Sequence, residues 1–185
     1  FGRAAGLRAG EVLKPGAEKR PDPKAAWSDP HLARFDKFRN ASGPTSTAKL
    51  RQEMQKAMQE DCAVFRTGET LQTGVERIAA VYGRLGEISV ADRGLIWNTD
   101  LVETLEFDNL IAQAAVTVNS AVNRQESRGA HAREDFADRD DKTWMKHTLA
   151  WLDLSTGKVK LDYRPVHTYT LSNDISYIQP KARVY

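Results

Sequence analysis

A mainly α-helical fold follows from three observations on the 185-residue sequence. Apolar residues recur at helical spacing in three successive segments between residues 45 and 123. Proline and glycine punctuate the chain ahead of them. Beyond residue 145 the apolar period drops from about 3.6 to 2. Together these predict a three-helix bundle, spectrin-repeat-like, with a preceding helix, a C-terminal β-hairpin and an extended tail. A lone amphipathic helix is marginal in water, so three apolar stripes imply mutual packing.

The preceding helix is expected from Phe1 to Leu13. Gly2, Gly6 and Gly10 fall on one of its faces. Each interior glycine costs a helix about 1 kcal/mol relative to alanine, so close backbone approach to a partner is the expected compensation. Lys14 to Pro30 reads as a linker, because Pro15, Pro21, Pro23 and Pro30 each remove a backbone donor. Trp27 is a candidate surface anchor within it. His31 to Phe38 suits a short helical turn, which Asn40 to Pro44 breaks.

The bundle follows. Leu50, Met54, Ala57, Met58 and Cys62 stripe a helix from about Thr47 to Val64. Leu71, Val75, Ile78, Tyr82 and Leu85 stripe the second. Leu101, Leu105, Ile111, Ala115, Val118 and Val122 stripe the third, from about Asp100 to Asn123. Asn98 or Thr99 is placed to cap its start, with Asp100 and Glu103 at the positive end of the dipole. Later, Thr148, Ala150 and Leu152 alternate with His147, Leu149, Trp151 and Asp153, and Val159, Leu161 and Tyr163 alternate with Lys160 and Asp162. Ser155-Thr156-Gly157-Lys158 supplies the turn between them. Pro165 ends the second strand, and Val166 to Tyr185 reads as an extended tail.

Between bundle and hairpin lies the most highly charged stretch, Asn123 to Asp141. Arg124, Arg128, Arg133 and Arg139 alternate with Glu126, Glu134, Asp135, Asp138, Asp140 and Asp141. Mixed signs favour mutual pairing, and arginine forks suit bidentate carboxylate partners. His131 with these acids has the oxygen and nitrogen atoms of a metal site, but the four arginines compete for every carboxylate, so ion pairing is the expected role. His131 is expected to gain protons readily among the acids and to fix the junction through both ring nitrogens. Arg124, Glu126, Arg128, His131, Arg133 and Asp135 are the candidate docking residues.

Several function classes are excluded. A formal net charge of +2 gives no basic face for nucleic acid. Cys62 is the single cysteine, and its place on a helical stripe suggests a small buried hydrophobe rather than a nucleophile. Ser127 has no nucleophile-elbow pattern. There is no glycine-rich dinucleotide or phosphate loop. No apolar run approaches the roughly 18–20 residues of a membrane span.

Glu126-Ser127-Arg128-Gly129-Ala130-His131-Ala132-Arg133-Glu134-Asp135 resembles a signature of the succinate dehydrogenase/fumarate reductase flavoprotein subunit. In the same order, Phe1-Gly2-Arg3-Ala4-Ala5-Gly6, Met54 to Gln59, Ala63 to Gly68, Trp97 to Glu106, His147-Thr148-Leu149, Thr156 to Val159 and Ala182-Arg183-Val184-Tyr185 resemble it too. The similarity is strongest to the mitochondrial and alphaproteobacterial succinate dehydrogenase type, and it implies the C-terminal region of that subunit. The chain opens without Met, directly into helical pattern, which raises the expectation of a piece of a longer polypeptide.

The resemblance implies a division into 1–44, the last helix of the FAD domain plus a linker; 45–123, the three-helix bundle; and 124–185, junction, hairpin and tail. It implies a parent that oxidises succinate to fumarate through FAD, passing electrons to iron–sulfur clusters and then quinone. The motifs for FAD and substrate would precede Phe1, so the expectation for this chain is no cofactor and no catalysis of its own. Implied partners are the FAD domain of the same subunit, the iron–sulfur subunit and a flavinylation assembly factor. The implied location is peripheral, on the cytoplasmic face of the bacterial inner membrane or the matrix side in mitochondria. Alternatives are a fumarate reductase or L-aspartate oxidase C-terminal domain, a free-standing interaction module, or an independent hydrolase or metal protein.

Overall fold

The computed structural model describes residues 1–16 and 23–181. It divides into two units, Phe1–Lys37 and Phe38–Tyr185. In the first, α1 spans Gly2–Val12, within the expected helix. The space beside a Cβ at Gly2, Gly6 and Gly10 is open, so close approach within the described residues does not account for these glycines.

The stretch from Lys14 to Pro30, expected as a linker, is partly helix. Helix α2 spans Ala25–Arg39 with Pro30 inside it, so helix begins well before His31. Pro30 lies in the second turn, where the one bond it forgoes is that to the Ala26 carbonyl. Trp27 is exposed. Part of the linker and the closing Ala182-Arg183-Val184-Tyr185 motif lie outside the described residues.

In the second unit, α3 (Thr47–Asp61), α4 (Gly68–Gly83) and α5 (Thr99–Asn123) each pack on the other two. Each starts on a side-chain cap. The Ser46 hydroxyl accepts from the Lys49 amide, Thr67 and Thr70 form a reciprocal capping box, and Asn98 Oδ1 accepts from the Leu101 amide at 2.8 Å. The stripes then close on one another. Leu50, Leu71, Ile78, Phe107, Ile111 and Val118 show at most 1% of their surface. Each contributes roughly 1.5–3 kcal/mol by leaving water.

Some details differ from the periodic pattern. Phe107, Thr104 and Ala114 are buried, whereas Leu105 and Val122 are only half-buried. Thr104 is satisfied twice: its hydroxyl bonds Thr47 Oγ1 across the α3–α5 interface at 2.7 Å and the Asp100 carbonyl at 2.8 Å. A two-residue strand β1 (Thr45–Ser46) pairs in parallel with β2 (Ile88–Ser89) beside the core. Neither is long enough to show a period in the sequence.

Strands β3 (Lys146–Leu152) and β4 (Val159–Pro165) form the expected antiparallel hairpin, with Thr148, Ala150 and Leu152 opposite Tyr163, Leu161 and Val159. The hairpin lies along α5. Its tip is fixed to α4: the Tyr82 hydroxyl donates to the Leu154 carbonyl at 3.0 Å. Gly157 sits at φ +72 with the Tyr82 ring 2.6 Å from where a Cβ would stand, so the turn requires glycine on both backbone and space grounds. Beyond β4, His167 to Lys181 is exposed.

Candidate functional site

The junction forms where three chain ends converge: the end of α5, the start of α4 and the base of the hairpin. Glu126 is its centre, at 0% exposure. Its Oε1 accepts from Arg124 Nη1 and from Arg128 Nε at 2.8 Å, and its Oε2 accepts from Arg128 Nη2 at 3.0 Å and the Asp140 amide at 2.9 Å. Burial alone would raise the Glu126 carboxyl, but these donors outweigh it and hold it below the usual range. A buried carboxylate with this many donors stays ionised.

Arg124 ties this centre to the hairpin, donating to the carbonyls of Trp144 (3.1 Å) and Lys146 (2.6 Å) and to Thr148 Oγ1 (3.0 Å). Arg133 performs the same task for the helices. Only 2% exposed, it caps the end of α5 through the carbonyls of Ala121, Val122 and Arg124 at 3.2–3.3 Å. Its other edge makes a fork with Asp135 at 2.7 and 2.8 Å. Asp135 Oδ2 also accepts from the Gly68 amide at the start of α4. The Arg133 fork lowers the Asp135 carboxyl to about 2. One arginine–aspartate pair thereby joins the negative end of α5 to the positive end of α4.

His131 is placed by a tight turn. The Arg128 and His131 backbones exchange two hydrogen bonds, with Gly129 at φ +59 between them, the position a type II′ turn reserves for glycine. His131 Nδ1 meets Arg66 Nη1 at 2.9 Å, and Nε2 meets the Arg124 carbonyl at 3.0 Å. Arg66 can only donate and a carbonyl can only accept, so the ring is neutral with its proton on Nε2. Both ring nitrogens are engaged as expected, but the expected protonation is corrected. Burial, reinforced by the charges of Arg66, Arg133 and Arg124, pushes the imidazole pKa down against the pull of the Arg124 carbonyl. The neighbours of the ring are guanidinium groups rather than carboxylates, and several nearby acids are engaged elsewhere. Asp141 pairs with Arg128 and Arg139, and Asp140 caps the Lys142 and Thr143 amides. Among the described residues no three His, Cys, Asp or Glu side chains come together to hold a metal ion.

All six candidate residues meet in this one network. The sequence does not reveal Arg66, which comes from the α3–α4 connection. The neighbouring strand-like bridge of Arg66 with Arg133 has no periodic signal to show it. A groove of ≈ 570 Å3 opens beside the network, between α5 and the hairpin base, and Arg66, Arg124, Arg128, His131, Lys146 and His147 contribute to its lining. The arrangement is suited to holding chain segments and anionic groups. It offers no activated nucleophile: Cys62 is buried, and burial raises its thiol pKa.

No helix among the described residues is long and apolar enough to cross a membrane. Residues 51–185 match the family described as fumarate reductase flavoprotein C-term. The whole chain is 51% identical to the succinate dehydrogenase flavoprotein subunit of Rickettsia bellii and 48% identical to the mitochondrial succinate dehydrogenase [ubiquinone] flavoprotein subunit of Oryza sativa subsp. japonica. It spans 31% and 29% of the length of those relatives. A solved quinol fumarate reductase chain from E. coli superposes with a TM-score of 0.82 at 35% identity, over 93% of this chain and 30% of that one. The chain belongs to the C-terminal family of succinate dehydrogenase and fumarate reductase flavoproteins.

Proposed function

We propose that the chain is the C-terminal region of a succinate dehydrogenase flavoprotein and that it scaffolds and docks rather than catalyses. The identity of 51% over the entire chain to a succinate dehydrogenase subunit carries this reading; the fumarate reductase structure stands at 35%. The parent enzyme would oxidise succinate to fumarate with FAD and pass electrons to iron–sulfur clusters and quinone. It would sit peripherally on the cytoplasmic face of a bacterial inner membrane, or the matrix side in mitochondria, held by its partner subunits.

The described residues do not fit a flavin dinucleotide. Their parallel pairing is confined to the two-residue β1 and β2 and the single Arg66–Arg133 bridge, and no glycine-rich strand-to-helix turn offers amides to a pyrophosphate. FAD would therefore be held by another part of the parent. Within this reading, residues 1–44 are the last helix of that FAD domain plus a linker. Residues 45–123 are a spectrin-repeat-like bundle, and 124–185 are junction, hairpin and tail.

The docking role falls to the junction. Glu126 and Arg133 brace it from inside. Arg124, Arg128, His131 and Asp135 form its rim, toward the FAD domain, the iron–sulfur subunit or a flavinylation assembly factor. An internally satisfied network costs nothing to organise when a partner arrives, which favours a fixed docking face. In the full-length subunit, Arg128→Ala is expected to lower flavin incorporation and complex assembly; a variant normal in both would remove the docking half of the proposal. The 185-residue chain alone is expected to be colourless and to show no succinate-dependent dye reduction. Yellow, active material would remove the other half.

A further inference from the structure

The groove between α5 and the hairpin base carries more positive charge than the chain answers. Arg66, Arg124, Arg128 and Lys146 line it, and no carboxylate does. Glu126 answers Arg124 and Arg128, and Asp141 adds a contact to Arg128. Among the described residues, neither Arg66 nor Lys146 has an ion-pair partner. Arg66 gives Nε to the Ala63 carbonyl and Nη1 to the neutral His131 ring. The Lys146 ammonium lies 4.7 Å from the Trp144 ring centroid and 3.9 Å from that of Tyr163. Aromatic faces attract a cation but leave its three donors without acceptors. Positive charge accumulated on a half-buried wall, with nearby guanidinium groups already in use, is the complement of an anionic partner.

The remaining wall is apolar, with Val116, Met145 and Val166 beside the cations. At ≈ 570 Å3 the groove is far roomier than a single inorganic oxyanion needs, and it matches pockets that bury a ligand of many atoms. The relatives are about three times as long as this chain, which covers 31% of the Rickettsia bellii subunit.

We propose that this groove seats an extended acidic segment from the remainder of the same flavoprotein polypeptide. An Asp or Glu carboxylate of that segment lies on Arg66 and Lys146, and an apolar side chain lies against Val116 and Val166. The proposal rests on the docking reading above and specifies its partner.

Carbodiimide coupling of the full-length flavoprotein, assembled with its partner subunits, tests it. The reagent activates a carboxyl group, which then forms an amide with a lysine amine in contact with it. Mass spectrometry is expected to find Lys146 joined to an Asp or Glu of the same polypeptide outside residues 1–185. Lys146→Arg should abolish that product, and Arg66→Gln should lower its yield about tenfold, matching a loss of about 1.4 kcal/mol in segment binding. A Lys146 link to another subunit overturns the proposal, as does no Lys146 link while other lysines couple. Arg128→Ala measured in parallel separates the two readings. Impaired assembly without a Lys146 link leaves docking standing and removes the acidic segment. A Lys146 link alongside unimpaired Arg128→Ala keeps the segment and removes the docking role of the junction.

Discussion

Phe107 in the helical core and Glu126 in the junction are both at 0% exposure, yet they are held by different physics. Phe107 is one of a set of apolar side chains, and its stabilisation scales with area removed from water. Glu126 is held by four directed hydrogen bonds, three of them from guanidinium groups. Non-directional burial tolerates substitutes of similar volume, whereas a charge network requires each donor and acceptor in place. The core and the junction should therefore fail differently when altered.

The largest effects compare the two sites directly. Phe107→Ala and Glu126→Ala are each expected to cost about 3–5 kcal/mol, the first through a cavity and the second through unanswered guanidinium charge. Urea unfolding of the chain measures both. The conservative replacements sharpen the contrast: Phe107→Met should cost under about 1.5 kcal/mol, while Glu126→Gln should retain most of the loss, because size is kept and charge is not. Equal recovery by both would erase the distinction between the regions.

A smaller effect is pH-dependent. The His131 pKa is lowered in the folded chain, so the unfolded chain binds the proton more readily, with a value of about 6.5. The stability from a neutral ring is complete above about pH 7 and drains away as pH falls through 6.5 toward the lowered value. Protonation would set Nδ1–H against Arg66. Unfolding midpoints between pH 7.5 and 5 should fall for the native chain and fall less for His131→Asn. Parallel curves would mean that another group titrates. Asp135, held at about 2, acts at a lower pH. Its contribution is full above the ordinary carboxylate range and is lost only as pH falls toward 2.

The smallest effects lie at the margins of each region. Asn98→Ala should cost about 1 kcal/mol, since it removes the α5 cap and also the Asn98 Nδ2 bonds to the Asp92 and Gly94 carbonyls. Arg139→Ala should stay within about 0.5 kcal/mol, because its pairing with Asp141 is solvent-accessible. A loss at Arg139 as large as that at Glu126 would show that the rim, not the centre, holds the junction.

The same contrast governs what could be read from sequence. The stripes through Leu50, Ile78 and Ile111 are periodic, so α3, α4 and α5 were legible along with the hairpin alternation. The density of mixed charge located the junction and its six residues. Its arginine–carboxylate pairs are mostly two residues apart, but the contacts that tie them to the rest of the fold were not legible, because Arg124 to Lys146 and Thr148 and Asp135 to Gly68 join distant parts of the chain. Arg66 reaches His131 across 65 positions, and burial of the ring, with Arg66 among the charges around it, reverses its expected titration. Helix α2 escapes sequence reading for a different reason: Pro30 signals a break, yet it sits inside the helix and forgoes only one bond.

The hairpin also sets how far a disturbance in the tail can travel. Tyr163 exchanges hydrogen bonds with Asn123 at 2.7 and 3.1 Å, just two residues before the strand ends at Pro165. On the facing strand, Arg124 grips Lys146 and Thr148. A tug or a proteolytic cut beyond Val166 would meet this clasp almost at once. Everything downstream could be shortened, tagged or carried off to another surface while the helices behind the clasp kept their register.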